Sequence, residues 1–328
     1  MKRIILAAVA LALVLCLSAT LAACGGTTPT ETTNNSGVTD PGTDVTDTPG
    51  ETNKPGSTPT TNSGTTPGVP TIDDDKVNFK FFKCGKANAT LISSGNTAIL
   101  IDCGEEEDED GNGKQDDGEE ILEYLAEKGV TEIDYFIISQ FNKNHYGSVP
   151  TILNGVTVKK ILEPNYTKTA NLFTVYRDAV TKSGVPTEVI TKDTTITADG
   201  LNVTIYPATK AGLDTDEYYS LAVAVDSEGL DVLVASDVSG ARTTALIQSL
   251  NGKTFDILQV PAHGEYNDTV ESLITATNPK YAVIFASANN PEDARLVKIL
   301  NDKNITTFVT KNGSVEAKFK NDTLTVKQ

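Results

Sequence analysis

The stretch Phe79–Gly104, FKFFKCGKANATLISSGNTAILIDCG, decides how the rest of the chain is read. It holds three short runs rich in β-branched and aromatic residues, NFKFFKC, ATLISS and TAILIDC. Gly95-Asn96, between the second and third, is a turn pair, so the stretch predicts strands at the head of a folded domain.

Downstream, Glu119–Lys128, EEILEYLAEK, predicts a helix closed by Gly129. YFIIS is a short buried strand and VKKILE another. ANLFTVYRDAVTKSG is a helix closed by glycine, and TEVI, TTITA and NVTIYP are strands. SLAVAVDSEGLDVLVAS predicts a strand pair turning at Glu228-Gly229. Helices GARTTALIQSL, DTVESLITATN and PEDARLVKILNDKN then alternate with strands FDILQVP, YAVIFA and TTFVT, and SVEAKFK and TLTVK finish the chain. Strand pairs come early and again later, each followed by helix–strand units. That order predicts two sheets faced by helices, an α/β sandwich.

Upstream, MKRIILAAVALALVLCLSATLAAC places Lys2 and Arg3 before an apolar run, with small residues after it, the form of a secretory signal. Its end, LAAC, resembles the lipobox of bacterial lipoproteins, which are cleaved before the cysteine and acylated on it. The resemblance implies lipidation of Cys24 and an extracytoplasmic protein held to the bacterial cell membrane by its acyl chains. An ordinary signal with a chance cysteine is the alternative. Gly25–Asp75 is Thr, Pro, Gly, Asn, Ser and Asp, almost without apolar residues, and so predicts a disordered stalk. The expected organisation is a signal peptide over 1–23, the lipidated cysteine and stalk over 24–75, and one domain over 76–328.

The formal charge of −17 is unevenly spread. Gly25–Asp75 carries eight acids against Lys54, and Glu105–Glu120 carries ten against Lys114. With two bases in the signal, the rest of the chain stands at only −3. No basic stripe of the kind that grips phosphates is visible, so charge does not support nucleic acid as a partner, although folding can still gather dispersed lysines. After cleavage, Cys84 and Cys103 remain unmodified, each ending a strand-like run. If those runs lie side by side the pair permits one disulfide; otherwise they are two small buried thiols.

The order of motifs resembles the metallo-β-lactamase fold, in the branch of the hydrolase domain of the competence DNA-uptake channel and its stand-alone relatives. That branch reads F-x-D-V-G-Q-G-D-A-x-L-I, L-L-I-D-G-G, T-H-x-H-x-D-H-x-G-G, S-L-V, L-x-T-G-D, V-P-H-H-G-S and P-x-Y-A-V-I. This chain has the Phe79–Gly104 stretch, then ISQFNKNHYGSV (Ile138–Val149), YSLAVAV, LVASD, QVPAHGE and PKYAVIF. The resemblance implies an αββα sandwich of two mixed sheets flanked by helices. It also implies two divalent metals, zinc or manganese, that lower the pKa of a bridging water.

Laid on the histidine motif, the chain departs from it. Gln140 and Asn142 fall where the two early histidines stand, and Asn144 falls on the aspartate; His145 alone matches. An amide oxygen is neutral, hard and a weak ligand for zinc. Three such replacements should empty the first metal site. Asn144, His145, Asp237 and His263 fall on the second, with Ala262 at the other position of the late histidine pair. The chain has only two histidines, and both lie in these motifs. His145, Asp237 and His263 are therefore the candidate residual transition-metal site; the alternative is two relics in a hydrogen-bonded pocket. Tyr218 and Tyr219 stand where the resemblance has asparagines.

The acidic insert carries a second spacing. Counting from Asp108 as position one, Asp110 is three, Asn112 five, Gly113 six, Lys114 seven, Asp116 nine and Glu119 twelve. That is the pattern of an EF-hand or dockerin-type Ca2+ loop, in which side-chain oxygens and the carbonyl of position seven wind around the ion. A solvated acidic loop is the alternative. Three functions are compatible with these features: a surface lipoprotein that binds or scaffolds without the two-metal activity, a one-metal phosphodiesterase or esterase, and a structural calcium module.

Overall fold

The computed structural model describes residues 77–107, 113–114, 116–208, 215–227 and 229–328. The signal, Cys24, the stalk and, within the insert, Asp108, Asp110 and Asn112 lie outside the described residues.

In chain order the elements are β1 (Val77–Phe81), β2 (Thr90–Ser94), β3 (Thr97–Ile101), α1 (Asp117–Glu127), β4 (Glu132–Ile133) and β5 (Tyr135–Ile137). Next come α2 (Lys143–Tyr146), α3 (Val149–Gly155), β6 (Thr157–Val158), β7 (Ile161–Pro164), α4 (Asn171–Ser183), β8 (Thr187–Ile190), β9 (Thr194–Ala198) and β10 (Leu201–Tyr206). Then α5 (Asp216–Tyr219), β11 (Ala222–Ser227), β12 (Leu230–Val234), α6 (Gly240–Leu250), β13 (Ile257–Gln259), α7 (Asp268–Thr277) and β14 (Tyr281–Ile284) follow. The chain ends with α8 (Ala294–Asp302), β15 (Thr306–Val309), β16 (Val315–Lys320) and β17 (Thr323–Lys327).

These strands form two large mixed sheets, ordered β17-β16-β1-β2-β3-β5-β7-β8 and β15-β14-β13-β12-β11-β10-β9. Strand alternation explains how each sheet serves two cores. Phe79, Phe81, Ile92, Ile99 and Ile101 point inward against Val203, Val223, Val225 and Val232 of the other sheet. Their neighbours Leu91, Ala98 and Leu100 point outward and pack with Ile121 and Leu125 of α1, Ile152 of α3 and Tyr176 of α4. On the far side Leu233 and Leu258 meet Leu246 of α6, Leu273 of α7 and Leu296 of α8. The expected αββα sandwich is thus the architecture found. Among the described residues no helix is long and apolar enough to cross a membrane.

VKKILE is not one strand. It divides into β6, which pairs only with β4 in a separate two-stranded sheet, and β7 in the first sheet. The possible Cys84–Cys103 disulfide is corrected: both residues are buried thiols with no bridge between them. The runs they end are not side by side, because β2 lies between β1 and β3.

β3 and β5 run parallel in one sheet, as do β12 and β13 in the other. Asp102 follows β3, Ser139 and Gln140 follow β5, Ser236 and Asp237 follow β12, and His263 follows β13. Parallel strands leave their carboxyl ends on one edge, where side chains from several strands can meet.

Candidate metal centre

The Ser139–Ser148 loop is held on three sides by backbone bonds. Ser139 O accepts from Leu221 N at 2.9 Å, Asn144 O from Asn88 N at 2.9 Å and His145 O from Cys103 N at 2.8 Å. Gly147 donates to Gly104 O at 3.0 Å. A Cβ at Gly147 would lie 2.6 Å from Glu106 N and 2.7 Å from Lys143 O, so only glycine lets these backbones meet. Between the site residues, Phe141 turns the other way into the core. Its ring lies 4.8–5.7 Å, centroid to centroid, from those of Tyr146, Tyr166, Phe173 and Tyr176. This aromatic anchor fixes which side chains of the loop face the site.

His145 is fully buried between two carboxylates. Its Nδ1 lies 2.8 Å from Asp102 Oδ2 and its Nε2 3.0 Å from Asp237 Oδ2. Burial works against a charge on this imidazole, but Asp237 and Asp102 outweigh it and raise its pKa to about 10. Burial likewise opposes ionisation of Asp237, yet His263 and His145 hold its carboxyl well below the usual range. His263 Nε2 stands 3.2 Å from Asp237 Oδ2. One ligand atom from each of His145, Asp237 and His263 falls within 4.8 Å of the others, so the group could hold a metal ion.

Asp102 orients this centre. It accepts from Ser139 N and Ser139 Oγ, both at 2.7 Å, as well as facing His145. A carboxylate on Nδ1 directs Nε2 inward, the arrangement that fixes a metal-binding histidine. Ser139 Oγ also lies 2.5 Å from Ser236 Oγ, which is bonded in turn to Ser220. Asp102, Ser236, Ala262 and His263 all have positive φ, between 51° and 57°. Such strain is held only where the surroundings dictate it, and here it gathers at one place.

The amides are part of the same cluster. Gln140 Nε2 lies 2.6 Å from His145 Nε2 and 2.8 Å from Asp237 Oδ2. Asn144 Nδ2 lies 2.9 Å from His263 Nε2. Asn142 is half-buried and lines the cleft above, together with Asn144, Asp237 and His263. That cleft holds about 550 Å³ and is also lined by Lys86, Glu105, Glu265 and Tyr266.

All four positions assigned to the second metal thus converge. Two imidazoles and a carboxylate, with Asp237 Oδ1 buried and unpartnered, have the chemistry to hold one divalent ion. The first site does not fit: Gln140 and Asn142 offer it amides only. Sequence reasoning missed Asp102, Ser139 and Ser236, although LIDCG, SQF and ASD were in view. The signal was the carboxylate at the end of β3, which sits in line with the histidine loop only once β3 and β5 are paired.

Residues 83–288 match the family model described as Metallo-beta-lactamase superfamily. ComE operon protein 3 of Bacillus subtilis is 22% identical over 209 residues, 62% of this chain and 27% of that protein. Recombination protein 2 of Haemophilus influenzae is 25% identical over 210 residues, 63% of this chain and 24% of that protein. The chain therefore spans about a quarter of the length of these curated relatives, as the 27% and 24% shares state. Among solved structures, a variant of the β-hydroxylase CmlA superposes with a TM-score of 0.51 at 11% identity, over 76% of this chain and 54% of that one; it shows the fold alone.

Proposed function

Because the chain belongs to the metallo-beta-lactamase superfamily and its domain is related to competence proteins, we propose that it keeps the fold for binding or scaffolding and has given up two-metal hydrolysis. The observation that carries this is the set of amides at Gln140, Asn142 and Asn144, with two of them turned onto the retained ligands. Were a divalent ion bound, His145, Asp237 and His263 would hold it, and it would supply Lewis-acid chemistry. What the chain's own residues do is hold these groups. Asp102 fixes the imidazole of His145, and the Ser139–Ser236–Ser220 hydroxyls brace Asp102.

The test is turnover. Assayed with added zinc or manganese against phosphodiester, ester and β-lactam substrates, the wild type should show no metal-dependent activity. Activity that disappears in both His145→Ala and Asp237→Ala would make a one-metal hydrolase correct instead. That alternative is favoured by the retained triad, of which Asp237 and His263 line the cleft.

Two further features complete the proposal. LAAC and the polar stalk support a domain displayed at the membrane surface through lipid on Cys24. Cys24→Ala should move the protein from the membrane fraction to the soluble one; retention there, with an unlipidated N-terminus by mass spectrometry, would refute the anchor. The insert is proposed to bind calcium through Asp108, Asp110, Asn112, the Lys114 carbonyl, Asp116 and Glu119. Three local features support this. Gly113 has φ +85°, as the sharp turn of such a loop needs. Asp116 caps α1, accepting from Glu119 N, so that Glu119 opens the helix at its third position. The Lys114 ammonium pairs with Glu123 of α1, the helix that the loop leads into. An unpaired loop of this kind binds at about 10⁻⁴–10⁻³ M. About 10 mM calcium should then stabilise the fold by roughly 1.4–2.7 kcal/mol. Glu119→Gln should remove most of the accompanying rise in Tm; an equal rise in both proteins would place the ion elsewhere. A structural calcium module is the limiting form of the proposal, in which this loop alone carries function.

A further inference from the structure

We infer that Gln140 and Asn144 are internal caps that keep metal out of a centre still able to hold one; this rests on the binding function proposed above. One ligating atom of each triad residue has an amide nitrogen against it. Gln140 Nε2 covers His145 Nε2 at 2.6 Å and Asp237 Oδ2 at 2.8 Å, and Asn144 Nδ2 covers His263 Nε2 at 2.9 Å. An ion bound to these atoms would need to approach each at about 2.0–2.2 Å, inside the space the amides fill. The caps are fixed from behind. Phe141, between them in sequence, is locked among four aromatic rings. Asn144 O is tied to Asn88 N at 2.9 Å, and its Nδ2 reaches Lys86 O at 3.4 Å.

The geometry of the amide oxygens points the same way. Gln140 Oε1 and Asn144 Oδ1 are buried without a partner. A buried amide nitrogen needs an acceptor, and a carboxylate supplies one. Here the nitrogen meets the carboxylate of Asp237 and the two imidazoles. The terminal amides thus fill, without a net charge, the space a cation would take: the Gln140 N–H donates to the Asp237 carboxylate, and the two amides stand against the imidazoles. The substitution of histidine and aspartate by glutamine and asparagine removes ligands and fills the space left in one step. On this account the site is a closed hydrogen-bonded unit, and the metal-binding capacity of His145, Asp237 and His263 is latent.

The experiment removes the caps and asks whether the ligands reappear. The detergent-solubilised full chain and its Gln140→Ala/Asn144→Ala variant are titrated with cobalt(II) chloride in excess calcium, so that the acidic insert is already occupied. The readouts are visible absorption from imidazole-ligated cobalt and the Tm. Three amide–ligand contacts are released, so the variant should bind cobalt between about tenfold and a thousandfold more tightly than wild type. The wild type should show neither a band nor a shift. A wild type that responds as strongly as the variant overturns the inference, and so does a variant that keeps its far-UV circular dichroism yet does not respond. If the double variant fails to fold, Asn144→Ala alone uncovers His263 from the cleft side and should give a smaller response; its silence also overturns the inference. Cobalt binding by wild type without turnover would defeat the caps alone, whereas metal-dependent turnover by wild type would defeat the binding function itself.

Discussion

A variant carrying Gln140→His, Asn142→His and Asn144→Asp together is expected to bind zinc more tightly than wild type by on the order of a thousandfold or more, since even an outer-shell partner of a metal is worth about 10–100-fold. Gln140 and Asn144 already face the ligand atoms of His145, Asp237 and His263, and Asn142 lines the same cleft. The loop should not turn when these side chains change, because Phe141 is buried among aromatic rings and Gly147 is pressed against the Glu105–Glu106 backbone. Each change replaces a weak neutral ligand with a strong one. Without metal, the variant should be less stable than wild type. Asn144→Asp buries a second carboxylate close to Asp237, with only His263 between them, and buried like charges are costly. Zinc should recover that loss and exceed it, because binding to the native fold alone is folding free energy. Thermal unfolding with and without zinc, beside a competition titration against a chromophoric chelator, reads both effects. A folded variant with unchanged zinc affinity would mean that the loop has repacked around the amides.

Much of this centre was legible in sequence because the chemistry sits at strand ends. Alternation in Phe79–Phe81, Leu91–Ile92 and Ala98–Ile101 fixed which residues face which core, and nearly every strand and long helix lies where its apolar period put it. Gln140, Asn144, His145, Asp237 and His263 were all named from motif order and are all brought together. Four things did not show in one dimension. Whether the runs ending at Cys84 and Cys103 lie side by side is open in sequence, and β2 enters between β1 and β3. The short helices α2, α3 and α5 have too few residues for a period to show. Asp102, Ser139, Ser236 and Ser220 form a braced hydrogen-bond network that depends on positive φ at Asp102 and Ser236, and such strain is set by tertiary contacts. Likewise Gln140 turns inward while its neighbour Phe141 packs on the far side of the loop, which composition does not reveal.

The central claim is that the two-metal centre of the family has been dismantled in this chain while its frame has been kept. It is tested most directly by counting transition metal per chain in wild-type protein, purified from medium rich in zinc and manganese and dialysed without chelator. Elemental mass spectrometry of the wild type should find far less than one such ion per chain, and Asp237→Ala should not change the count, since Gln140 and Asn144 already stand on the ligands that remain. Two ions per chain in the wild type, lost in Asp237→Ala, would contradict the account.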